Sequence, residues 1–238
     1  MSKSHHITFV GAGPGAADLI TVRGQRALQK ADVVLYDALI DAGLLDYCKA
    51  DVLLVDVGKR CSKGNAKPQD VINELLITHG LQFDNVVRLK GGDPSIFGRL
   101  DEEIVAAKNA GLSVEVVPGV TAALAAAAAA QTPLTRRGVT RSIRFLTATV
   151  GTQQPTNAWD VALDPSETMV FYMAGKQLHE IGQRLLSSGF ALETPVMIVR
   201  GASWTNQECQ RLLLKDLPEW VLSDSDAPCL LMVGVALV

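Results

Sequence analysis

The chain has 238 residues, 48% hydrophobic and 20% charged, with a formal net charge of −3. This composition excludes a disordered or fibrous chain and gives room for one large domain or two small ones. The negative balance argues against a general nucleic-acid binder, and no apolar run reaches the ~18 residues that span a bilayer.

The N-terminus, MSKSHHITFV, passes straight into a strand-like run, which argues against a signal peptide. His5 and His6 are adjacent on that run and point to opposite faces, so they do not make a metal pair. Ile7 to Val10 reads as a strand, Thr21 to Lys30 as a helix, Val33 to Tyr36 and Val52 to Val57 as strands. Pro68 to Gly80 reads as an amphipathic helix with Val71, Leu75 and Leu76 on one face. Val86 to Leu89 is a fourth strand, Leu100 to Asn109 a helix stopped by Gly111, and Val114 to Val117 a fifth strand. This βαβ alternation predicts a mostly parallel sheet covered on both faces.

Pro118-Gly119 marks a boundary between domains 1–117 and 118–238. Thr121 to Gln131 follows, a helix with six consecutive alanines, read either as a tightly packed helix or as a ligand wall or dimer seam. Beyond it, Ser142 to Thr147, Met169 to Met173, Val196 to Val199 and Leu230 to Val238 read as strands of a mixed sheet. Leu178 to Ser187 reads as a helix, and Gly151 to Pro165 as loop. Cys48, Cys61, Cys209 and Cys229 are scattered, which fits a reducing cytoplasm and neither a disulfide framework nor a zinc site.

Four segments carry chemistry. Gly91-Gly92-Asp93-Pro94 ends a buried strand with bare backbone and one carboxylate, the kind of strand end where open α/β sheets hold ligands. Pro94 suits the first turn of a following helix. Gly11-Ala12-Gly13-Pro14-Gly15-Ala16 lies between strand and helix, and Asp37 ends the second strand, as an NAD site requires. Pro14 stiffens that turn, and Asp18 and Leu19 delay the helix past the place of a pyrophosphate, which weakens the oxidoreductase reading. Gly58-Lys59-Arg60 supplies two cations at the same sheet edge. Arg136, Arg137, Arg141 and Arg144 add four guanidiniums, read as a solvated face or as anion partners.

Taken in order, these segments resemble the tetrapyrrole methylase family, and within it the uroporphyrinogen-III C-methyltransferase group. The resemblance rests on Val10 to Gly15, Leu35-Tyr36-Asp37, Val57 to Arg60, Gly91 to Pro94 with Ile96 to Arg99, Pro118 to Ala122, Pro133-Leu134-Thr135 and Phe171-Tyr172-Met173, and spans about residues 7–238. It implies two α/β domains, the first with a mostly parallel sheet and the second with a mixed sheet, an active site in the cleft between them, and a homodimer, to which charge, apolar runs and cysteine usage add the expectation of a cytoplasmic protein without nucleic-acid or membrane partners. The implied reaction moves methyl groups from S-adenosylmethionine to two pyrrole rings of uroporphyrinogen III, giving precorrin-2 for siroheme or cobalamin, with no metal. The implied cofactor contacts are Pro14, Gly91, Gly92, Asp93, Ile96, Thr121, Ala122, Met173 and Gly201. Asp37 corresponds to the proton acceptor and Lys59 to the proton donor, or the two orient substrate. Arg60, Lys63, Arg99, Arg136 and Arg137 are matched to the substrate's carboxylates.

The chain departs from the family in places. No histidine stands between Arg60 and Pro68-Gln69, and the family's PLTHRD and YMG read Pro133 to Gly138 and Tyr172-Met173-Ala174. These departures fall in the acceptor half of the inferred cleft. They keep open a methylase of a later corrinoid and a non-catalytic binding module, beside the NAD-dependent reading.

Overall fold

The computed structural model describes residues 5–58, 67–148, 162–222 and 227–237. The chain divides into two compact units, Met1–Ala122 and Ala123–Val238, taken in turn.

The first unit holds β1 (His6–Gly11), β2 (Val33–Tyr36), β3 (Leu53–Asp56), β4 (Asn85–Lys90) and β5 (Ser113–Val117), all parallel, in the order β3-β2-β4-β1-β5. Alternation of side chains along each strand divides the core in two. Ile7, Phe9, Val33, Leu35 and Val86 face α2 (Gln69–Gln82) and α3 (Leu100–Asn109), which bury Ile72, Leu76 and Ala107 against them. Val10, Val34, Val87 and Leu89 face α1 (Val22–Lys30), which buries Leu28 and is capped by Thr21 Oγ1 accepting from Gly24 N–H at 3.1 Å. In α2 the deepest stripe is Ile72, Leu76 and Gly80; Leu75 is partly buried beside it, and Val71, expected on the same face, is half-buried outside that cluster.

Chain order and strand order meet at β1 and β4. These neighbours send their connections to opposite faces, β1 through α1 and β4 through α3. That reversal makes the pair a topological switch point, where ligands bind beyond the carboxyl ends of open parallel sheets. The loops there are Gly11 to Ala16 and Gly91 to Arg99.

The second unit holds α4 (Ala122–Ala129, its first residue in the other unit), β6 (Ile143–Thr147), β7 (Thr168–Tyr172), α5 (Leu178–Ser187), β8 (Pro195–Arg200), β9 (Glu208–Leu213) and β10 (Cys229–Val233). Its sheet runs β6-β7-β10-β8-β9, with β6 parallel to β7 and the other pairs antiparallel. Met169, Phe171, Ile198, Leu231 and Val233 pack on Ile181 and Leu185 of α5 and on Leu214 and Leu217 of a following 3-10 turn.

Two expectations change here. The final strand stops at Val233, where Gly234 takes φ +158°. The sheet also gains β9, a polar and largely exposed strand that no apolar run announces. Most of the loop expected over Gly151 to Pro165 lies outside the described residues.

Candidate active site

Backbone crowding at the switch point comes first. Gly92 N–H donates to Gly13 C=O at 2.6 Å and Gly13 N–H returns to Gly92 C=O at 3.2 Å, joining the two loops. A Cβ on Gly119 would lie 2.3 Å from Gly92 O and 2.8 Å from Gly11 Cα, so these backbones meet with no room for a side chain. Gly92, at φ +68°, has nothing within 4 Å of its own missing Cβ, and Gly91 has Leu39 Cβ at 3.8 Å. The Gly91-Gly92 pair therefore offers bare backbone to open space, which suits a ligand recognised by close approach to main-chain groups.

Asp93 braces this arrangement. Its Oδ2 accepts from Gly119 N–H at 2.9 Å, and its Oδ1 accepts from Ser95 N–H at 2.8 Å and from the Ser95 hydroxyl. Burial pushes the carboxyl up, but the hydrogen bonds from Ser95 and Gly119 outweigh it and hold Asp93 below the ordinary range. This turn also corrects the expectation for Pro94. The chain does not enter a helix there; α3 begins at Leu100, after left-handed Phe97 and Arg99. Ile96 N–H donates to Asp93 C=O at 3.2 Å inside the turn. Pro14 is half-buried in the partner loop, and Thr121 is buried just before Ala122 opens α4.

Asp37 follows β2, and its N–H continues the ladder to Leu89 C=O at 3.1 Å. Its Oδ1 accepts from Arg88 Nη2 at 2.6 Å and its Oδ2 from Gly91 N–H at 3.4 Å. Arg88 is a residue the sequence reading passed over. The strand alternation that turns Val86 toward α2 and α3 turns Arg88 and Lys90 the same way, and Glu103 of α3 meets both. Arg88 Nε and Nη2 each lie 3.2 Å from a Glu103 oxygen, and Lys90 Nζ lies 2.9 Å from Oε1. Gln69 Nε2 of α2 also donates to Glu103, at 3.2 Å. Burial pulls the Arg88 guanidinium down, but Asp37 and Glu103 reverse this and hold it above its ordinary value. Lys90 sits below the lysine range because of burial and the Arg88 charge, which Glu103 only partly offsets. A signal did exist: two cations inside a central, fully covered strand require buried counter-charge.

The remaining expected residues are dispersed. Arg99 forms a two-pronged pair with Glu102, both contacts 2.7 Å, at the entry to α3. Arg136 and Arg137 are exposed on a turn in which Arg136 and Thr140 exchange backbone hydrogen bonds. Arg144 pairs with Glu167 at 2.6 Å and donates to Ala162 C=O at 2.7 Å. In the second unit, Met173 (φ 57°, half exposed) follows β7 and Gly201 (φ 54°) follows β8, two strands running in the same direction. Lys59, Arg60 and Lys63 lie outside the described residues, although Gly58 is seen packed so closely on Ala38 that a Cβ would fall 2.1 Å from its nitrogen. Among the described residues no group of three or more His, Cys, Asp or Glu side chains gathers as a metal site, and no helix is long and apolar enough to cross a membrane.

Comparison with known proteins agrees with this architecture. The family model of Tetrapyrrole (Corrin/Porphyrin) Methylases matches residues 6–218. A uroporphyrin-III C-methyltransferase from Thermus thermophilus superposes with a TM-score of 0.83 at 33% identity, covering 97% of this chain and 98% of that one. The same enzyme is known in complex with S-adenosyl homocysteine. A cobalt precorrin-4 methyltransferase superposes with a TM-score of 0.84 at 27% identity, over 99% of this chain and 97% of its own. A siroheme synthase of Pseudomonas fluorescens is 42% identical over 233 residues, 98% of this chain. The chain spans about half the length of the curated relatives it matches. The chain belongs to the tetrapyrrole methylases. That membership favours methyl transfer over the NAD-dependent reading raised by the first glycine loop.

Proposed function

We propose that this chain is a C-methyltransferase that moves methyl groups from S-adenosylmethionine to two pyrrole rings of uroporphyrinogen III, giving precorrin-2. The observation that carries the reading is the bare Gly91-Gly92 backbone at the switch point, braced by Asp93, with the Asp37 carboxylate bonded to Gly91 N–H. The 33% identical enzyme complexed with S-adenosyl homocysteine supports the choice of cofactor.

S-adenosylmethionine supplies an electrophilic methyl group to the electron-rich pyrrole carbon. Pro14, Gly91, Gly92, Asp93, Ile96, Thr121 and Ala122 of the first unit, with Met173 and Gly201 of the second, hold it. The chain's task is alignment and charge. Asp37 accepts the proton lost as positive charge builds on the ring, and Lys59 donates one. Arg60, Lys63, Arg99, Arg136 and Arg137 meet substrate carboxylates; Arg99 does so by exchanging or sharing Glu102. The chain works as a homodimer in the cytoplasm, feeding siroheme or cobalamin synthesis. A later corrinoid is the second acceptor reading. It is favoured by the departures between Arg60 and Pro68 and at Arg136 to Gly138, and by the likeness to the precorrin-4 enzyme.

An anaerobic assay with uroporphyrinogen III and methyl-labelled S-adenosylmethionine tests this. Two labels per macrocycle are expected, with Lys59→Ala losing more transfer than S-adenosylhomocysteine affinity. Retained affinity without transfer overturns the acceptor. Thermal stabilisation by NAD instead of S-adenosylhomocysteine overturns the whole reading.

A further inference from the structure

We propose that Arg88 is a positioning residue for this methyl transfer: its buried guanidinium ties Asp37 to Glu103 and holds the Asp37 carboxylate in one orientation. The inference rests on the role given to Asp37 above. All five guanidinium N–H groups find acceptors. Nε and Nη2 bond Glu103, Nη2 bonds Asp37, and Nη1 bonds Leu35 C=O at 3.4 Å and Leu89 C=O at 3.2 Å. Glu103 is itself fixed by Lys90 and Gln69, so the anchor at the far end of Arg88 is tied to β4, α2 and α3 at once.

Stability alone is a poor account of this quartet. Apolar residues of similar volume often do as well or better than a buried ion network. The exposures indicate another role: Arg88, Glu103 and Lys90 are 1–3% exposed, whereas Asp37 is 31% exposed. Three hidden charges thus support one that reaches solvent, and the quartet is formally neutral. Without the fork, Asp37 gains rotamer freedom at the point where small misplacements cost large factors in rate. Lysine cannot replace the fork, because its three donors leave from a single atom.

A double-mutant cycle tests the proposal, with Arg88→Lys, Asp37→Asn and the double variant assayed for kcat and KM on uroporphyrinogen III, and for S-adenosylhomocysteine affinity by calorimetry. Arg88→Lys is expected to lower kcat by about tenfold or more while affinity stays within about twofold. In the Asp37→Asn background the same change is expected to add less than about a further twofold, since two residues acting as one unit are not additive. Equal fractional losses in both backgrounds, or full turnover in Arg88→Lys, overturn the proposal. Full turnover in Asp37→Asn alone removes the role of Asp37 itself, and so separates failure of the underlying reading from failure of the Arg88 step. If Arg88→Lys does not fold, Glu103→Gln enters the same cycle with the same expectation. Failure of both to fold assigns the quartet to stability alone and overturns positioning.

Discussion

The two units each contain a five-stranded sheet, yet they treat charge in opposite ways. The first places Arg88, Lys90 and Glu103 inside its core, under the carboxyl ends of its strands. In the second, among the described residues, the buried charged side chain is Arg200, at the end of β8, and its partner Glu208 is 52% exposed. Apart from the uncharged hydroxyls of Thr132, Thr140, Thr168 and Thr194, the described interior of the second unit is apolar, around Phe171, Ile198 and Leu231. Even Cys229 conforms, with burial pushing its thiol up to about 11. A parallel sheet sends all its strand ends, with their loops, to one edge, so charge placed beneath that edge serves every loop at once. A mixed sheet divides its ends between two edges, and its expected site positions, Met173 and Gly201, contribute left-handed backbone and a thioether instead of charge.

The largest effect that can break this contrast is Arg88→Met. It leaves Asp37 and Glu103 without their shared cation and is expected to cost about 3–5 kcal/mol. All three tryptophans, Trp159, Trp204 and Trp220, belong to the second unit. The loss is therefore expected in the circular-dichroism transition and not in tryptophan fluorescence; an equal shift in both erases the distinction between the units. Next is the reciprocal change, Leu231→Ala in the middle strand of the second sheet, expected to cost about 3 kcal/mol as a buried truncation. Here the fluorescence transition is expected to move first, in urea titrations read by both probes.

The smallest effect is a pH dependence. Asp93 titrates below the ordinary aspartate value of about 3.9. Its contribution is therefore complete above about pH 4 and lost as pH falls through the lower folded value. Asp93→Asn is expected to flatten that part of the acid limb of the circular-dichroism transition, with the fluorescence limb unchanged.

Much of the first unit was legible because its strands are short apolar runs, four of which (β1, β3, β4 and β5) meet a glycine at Gly11, Gly58, Gly91 and Gly119, and because α3 has a clear stop at Gly111. The polar edge strand β9, reading Glu208-Cys209-Gln210-Arg211-Leu212-Leu213, was not, because an edge strand needs little apolar content. The glycine loops could be placed at strand ends from their order alone, but their mutual contact could not, because it depends on β1 lying between β4 and β5. Asp37 was legible as a carboxylate at a strand end, but its tie to Glu103 was not. Asp101, Glu102 and Glu103 are three consecutive acids, and only the seating of α3 on the sheet decides which turns inward.

The meeting of Gly11, Gly92 and Gly119 also bears on how the chain acquires its shape. β1 is made first but pairs with β4 and β5, whose residues begin about 80 and 110 positions later. Contacts of such long sequence separation close slowly. During synthesis, one edge of the strand Ile7 to Val10 has its partner only after residue 90 has been made, and the other only after residue 117. The order in which the chain is made therefore bears on how long this unit's edges stay exposed to misassociation.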